Sequence, residues 1–111
     1  MASRANVYID QGTDFRISIG LSDDDGLGLP INSYDFFGSI RKIYSTTKIA
    51  DFIIEKDEPS SSITLVLTDA VTEPLKPGKY QYDVLMRKTS GEISKVVEGL
   101  AIIVPTISEV I

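Results

Sequence analysis

The side chains able to do chemistry in this chain are mostly carboxylates, and their spacing limits what they can do together. Asp23-Asp24-Asp25-Gly26 has the composition of a calcium turn, because hard cations take oxygen ligands from Asp-rich loops. The carboxylates are adjacent instead of alternating, however, and no bidentate Glu follows at the ladder distance, so a solvated loop explains them better. Asp51, Glu55, Asp83, Glu92 and Glu98 could supply the two carboxyls that glycoside hydrolysis needs across a cleft. They are scattered over strand-like segments, and the chain has no tryptophan to serve as a sugar platform. Gly26 and Gly28 match a phosphate loop only in composition, since no helix N-terminus follows to receive an anion. The expectation is no catalytic residue, no metal and no cofactor.

Composition narrows the classes further. The 111 residues fit one domain, 1–111, with room for one hydrophobic core. No cysteine means no disulfide and no thiol nucleophile, and no histidine removes the commonest general base and metal ligand. Both absences argue against an enzyme. A net charge of −5 argues against nucleic acid or an anionic membrane as partner, since phosphate binding is built on clustered Lys and Arg. Arg41, Lys42, Lys48 and Lys56 give a mild basic bias that reads as a solvated face or as protection of an edge strand. Residues 1–6 lack an apolar signal region, and no apolar run approaches the length of about 20 needed to span a bilayer. A protein made and folded in a cytosol is the expectation.

The elements that must position these residues read as strands. Phe15, Ile17, Ile19 and Leu21 alternate with polar neighbours, as do Ile63, Leu65 and Leu67, and Tyr80, Tyr82, Val84 and Met86. A short strand over 6–9, one from Phe36 to Tyr44, one over 49–56 with Phe52 and Ile54 inward, and one over 93–104 interrupted at Gly99 complete a set of seven. In the last strand the bet is on Val97, Gly99, Ala101 and Ile103 facing inward. The alternation slips near Lys42-Ile43-Tyr44, marking a bulge or a strand end. Thr68 or Asp69 begins a helical turn that Pro74 and Pro77 keep short. Gly91 serves a hairpin over 88–92. Pro77-Gly78-Lys79-Tyr80 has the spacing of a tyrosine corner, in which a Tyr opening strand F turns its hydroxyl back onto backbone; an ordinary turn followed by a packing aromatic is the alternative. The pattern predicts an all-β, immunoglobulin-like antiparallel sandwich with one short helical turn before strand F; a small barrel is the rival. After Pro105, the tail residues Ile107, Val110 and Ile111 either cover the chain's own last strand or dock on a neighbour.

The set Val7-Tyr8-Ile9-Asp10-Gln11-Gly12-Thr13-Asp14-Phe15, Asp25-Gly26, Tyr34, Ile40-Arg41-Lys42, Ile63-Thr64-Leu65-Val66-Leu67-Thr68, Pro77-Gly78-Lys79-Tyr80-Gln81-Tyr82-Asp83-Val84, Val97-Glu98-Gly99 and Pro105 resembles small virion structural proteins of tailed bacteriophages of the T4-like marine and cyanobacterial kind. More loosely, the Gly-x-Tyr-x-Tyr and late Glu-Gly pattern is similar to the N-terminal immunoglobulin-like domain of upper baseplate proteins from phages of lactic-acid bacteria. The resemblance implies a non-catalytic structural or assembly protein of the baseplate, neck or capsid decoration. It would act by protein–protein contacts with other virion proteins or copies of itself, and would be assembled into the virion in the host bacterial cytoplasm. The alternative it leaves open is a small-ligand or surface-glycan binding module used in host attachment.

Overall fold

The computed structural model describes residues 3–21, 31–45, 47–57 and 60–108. Among the described residues nine strands form two sheets: β1 (Ser3–Arg4), β2 (Val7–Asp10), β3 (Phe15–Gly20), β4 (Asp35–Arg41), β5 (Lys48–Asp51), β6 (Ile53–Asp57), β7 (Ser62–Leu67), β8 (Gly78–Arg87) and β9 (Ile93–Val104). A 3-10 turn at Ile31–Ser33 precedes β4, and the helical turn α1 (Asp69–Thr72) lies between β7 and β8. One sheet runs β1-β9-β8-β4-β5 with β2 also on β9; the other runs β3-β7-β6. This is an all-β sandwich with the strand order of immunoglobulin-like domains, β8 and β9 standing where F and G stand.

Two features depart from a seven-stranded, purely antiparallel arrangement. β1 and β2 lie end to end along β9 and parallel to it. The expected strand over 49–56 is two strands in different sheets, β5 on β4 and β6 on β7. Phe52 is the crossing point. Its amide donates to the Gly38 carbonyl at 3.0 Å in one sheet, while its buried ring packs at 6.4 Å from Phe15 and edge-on at 5.9 Å from Tyr82. Gly38 eases the crossing, because a Cβ there would stand a tight 3.2 Å from both the Phe52 ring and Val84.

The core follows the period-two pattern. Ile40, Phe52, Ile63, Leu65, Leu67, Tyr82 and Val84 are buried, and Phe15, Ile17, Ile19, Phe36 and Ile54 pack half-buried against them. Val97, Ala101 and Ile103 of β9 are buried as expected. Val84 pairs with Val97 but Leu85 with Lys95, so Val96 bulges and the inward parity of β9 flips there. β4 both bulges between Ile40 and Arg41 and ends at Arg41.

Gly99 does not interrupt β9. An added Cβ would fall 2.1 Å from the Ala5 carbonyl oxygen, so the glycine leaves room for the kink between β1 and β2 to lie over it. The Tyr82 hydroxyl donates to that same carbonyl at 2.6 Å, and the Leu100 amide donates to the Asn6 side chain at 3.1 Å. Across the molecule, the turn after β2 is tied to the connection before β8. Gln11 donates to the carbonyls of Leu75 at 2.8 Å and Glu73 at 3.2 Å, and the buried Thr72 hydroxyl donates to the Thr13 carbonyl at 2.7 Å. The cap of α1 comes from a distance: Thr68 makes no side-chain cap, and the Asp69 amide donates to the Asp14 carboxylate at 2.8 Å. A carboxylate at a helical N-terminus satisfies an otherwise orphaned donor whichever part of the chain supplies it.

Candidate functional site

The sequence-derived candidates fall in three places. The Asp23-Asp24-Asp25-Gly26 run, Gly28, Val110 and Ile111 lie outside the described residues. Gly78 and Tyr80 open β8. Gly78 has φ of 143°, a conformation side chains rarely adopt, with open space where a Cβ would be, so backbone conformation and not crowding selects glycine. The chain then turns so that the Tyr80 hydroxyl donates to the Lys76 carbonyl at 2.7 Å, four residues back and near solvent. This is the hydrogen bond a tyrosine corner makes, and it shapes the loop without offering a binding site.

The carboxylates do not assemble into an acid/base pair. Asp51 pairs with Lys48 at 3.0 Å and Glu55 with Arg16 at 2.6 Å, while Glu92 belongs to the β8–β9 hairpin. Asp83 and Glu98 do meet, as cross-strand neighbours on the outer face of the larger sheet. Lys95 stands with both, 2.9 Å from Glu98 and 3.9 Å from Asp83, and Arg4 approaches Glu98 at 3.8 Å. The hydrogen bond to Lys95 and its charge hold the Glu98 carboxyl below its ordinary value, and the same bond with the Glu98 charge raises the Lys95 ammonium above its own. A general acid needs the opposite shift. These groups, with Arg41, Gln81, Leu100 and Ser39, line a shallow depression of about 280 Å³. Among the described residues no group of three or more metal-ligating side chains comes together, and no helix is long and apolar enough to cross a membrane.

Exposed apolar side chains form the other candidate. At the end of the sandwich where β4 turns into β5 and β9 finishes, Tyr44 and Ile107 are exposed at 101% and 99% of their reference areas. Ile107 therefore covers nothing of its own strand. Tyr44 adopts φ of 60°, in the left-handed region. Its turn is not loose, because the Gln81 side chain donates to the carbonyls of Lys42 at 2.9 Å and Ser45 at 3.4 Å, and the Lys42 amide donates to Thr47 at 3.1 Å. Sequence reading placed Tyr44 only at a loss of phase. Its positive φ could not be read there, since the residue that tolerates such a backbone is ordinarily Gly or Asn. No family model matches the chain, and no curated protein matches it either.

Proposed function

We propose that this domain is a non-catalytic module that works through protein–protein contacts, as a baseplate, neck or capsid-decoration component of a tailed-phage particle. The contact reading is carried by Tyr44, a fully exposed aromatic held left-handed on a hydrogen-bonded turn. Such a conformation costs on the order of 1–2 kcal/mol for a residue with a Cβ. Strain of this kind at an exposed tip is characteristic of residues retained for contact, and Tyr is over-represented among interface anchors. Ile107 adds an apolar contact at the same end. The phage setting rests on the resemblance carried by the ordered set from Val7–Phe15 through Ile63–Thr68, Pro77–Val84 and Val97–Gly99 to Pro105. Mass spectrometry of purified particles tests it: many copies per virion are expected, and absence from the particle refutes it. Reconstitution onto particles lacking the protein tests the contact, with Tyr44→Gly expected to assemble poorly while folding normally.

A second reading has its own observation. The depression on the outer face brings the donors Arg4, Arg41 and Lys95 beside the acceptors Asp83 and Glu98, the mixed polar lining that a glycan hydroxyl array would use. Glycan-array binding by the isolated protein, lost in Lys95→Ala, would favour host attachment over assembly.

A further inference from the structure

We infer that the open edge of β3 pairs with β3 of a second copy of this chain, joining two three-stranded sheets into one continuous six-stranded sheet. β3 ends its sheet, and among the described residues no strand pairs with its outer side. The other edges carry the protection that folded proteins give to unpaired strands. β6 ends in Glu55-Lys56-Asp57, and Lys56 is anchored on the carbonyls of Tyr34 at 2.8 Å and Asn32 at 3.2 Å. β5 is four residues long with the Lys48–Asp51 ion pair, and the β1–β2 edge is broken at the Ala5 kink. β3 carries a single charge, Arg16, and neither a break nor an anchored lysine. It pairs without a bulge over six residues, contains no proline, and leaves its core-side residues Phe15, Ile17 and Ile19 only half-buried.

The backbone groups on that edge can be assigned. The Leu21 amide donates to the Ser61 carbonyl at 2.7 Å, extending the register in which Gly20 faces Ser62. Hydrogen-bonded pairs alternate along an antiparallel ladder, so Phe15, Ile17 and Ile19 bond to β7. Arg16, Ser18 and Gly20 then direct both their amides and their carbonyls outward. Opposed residues in an antiparallel pair share a face, and of the two-fold registers this allows, those centred on Ile17 and on Ser18 keep the most of the six-residue strand paired. In the first, Arg16 faces Ser18 of the second copy; in the second, it faces Gly20. Arg16 is the strand's one charge and meets its own copy in neither. Glu55 also draws it away from the edge, across β7, at 2.6 Å. Pairing would bring Ile17 against Ile17 or Ile19 of the second copy and cover the half-exposed side of the core. This surface is separate from Tyr44, which lies on the β4–β5 turn of the other sheet.

Size-exclusion chromatography with light scattering of the full chain over a concentration series is the test, with Ser18→Lys, Ser18→Asp and a hairpin control, Thr89→Lys. Wild type and Thr89→Lys should dimerise reversibly. Ser18→Lys should weaken the dimer by about tenfold or more, because the introduced ammonium faces Arg16 twice per interface in one register and its own copy on the axis in the other. Ser18→Asp should tighten the dimer if the axis lies at Ile17, where it meets Arg16, and weaken it if the axis lies at Ser18. A wild type that is monomeric throughout, or a dimer that neither Ser18 variant changes, would overturn the inference. Amide exchange on the wild type gives a check that does not depend on variants folding. The amides of Arg16, Ser18 and Gly20 should become protected as concentration rises. Equal protection at every concentration would show the edge paired within one chain, which also overturns it.

Discussion

Tyr80 and Tyr82 sit two apart on β8, and both hydroxyls donate to backbone, yet their environments predict different costs of removal. Tyr80 bonds the Lys76 carbonyl near solvent, where water can replace the hydroxyl, so Tyr80→Phe should cost about 0.5–1.5 kcal/mol. That is less than the sequence suggests, since a corner bond read from spacing alone would be taken as buried. Tyr82 is buried and bonds the Ala5 carbonyl over Gly99, so Tyr82→Phe should cost about 1–3 kcal/mol. Urea denaturation of both variants gives the comparison, and a larger loss in Tyr80→Phe would reverse the assignment. Tyr82 also carries a pH signature. Burial raises its pKa above 10.0, so above that pH the unfolded chain gives up this proton before the folded one does. The contribution of Tyr82 is therefore fully present below pH 10.0 and is lost as pH rises through the folded value. The wild type should lose more stability than Tyr82→Phe over that alkaline interval.

At the scale of elements, two junctions hold the sandwich in register. The β1–β2 kink needs Gly99, and Gly99→Ala must push the Ala5 carbonyl away; overpacking of this kind costs about 1–3 kcal/mol. Because the clash is with the N-terminal arm, the same variant should raise amide exchange at Ala5, which donates to the Glu98 carbonyl at 2.9 Å. Retained protection there would show that β9 yields instead. The helical turn α1 depends on Asp14 for its cap, and Asp14→Ala should cost about 0.5–2 kcal/mol by thermal denaturation. Thr68→Ala, which removes no side-chain cap bond, should cost less. The ranking matters because sequence alone favours Thr68 or Asp69: capping rules look next to the helix, and this cap comes from the turn between β2 and β3.

For the molecule as a whole, the contacts proposed above predict a separation of stability from association. Ile107 is almost fully exposed, so Ile107→Ser should leave the Tm unchanged while weakening attachment to particles. A clear fall in Tm would mean that the tail packs on its own chain. Tyr44→Gly should raise stability by about 1 kcal/mol as left-handed strain is relieved, and should reduce attachment. Unchanged attachment in both variants would remove this end of the sandwich from consideration.

What the sequence determined was the class of fold and most of its buried faces, because a side-chain period of two reports burial strand by strand. Phe15 to Ile19, Ile63 to Leu67 and Tyr82 to Met86 each carried their inward side in the order of residues. The close approach of Gly78 to Tyr80 likewise located a turn whose backbone needs glycine. Only the tertiary structure decided the rest. That 49–56 changes sheets at Phe52 depends on its contacts with Gly38, Phe15 and Tyr82, on other strands. That Gly99 belongs to an unbroken strand depends on where Ala5 lies, and that Asp14 caps α1 depends on two turns meeting at one end of the sandwich. Each of these is a contact between residues far apart in the chain, and local periodicity carries no information about which distant backbone atom will occupy the space a side chain leaves.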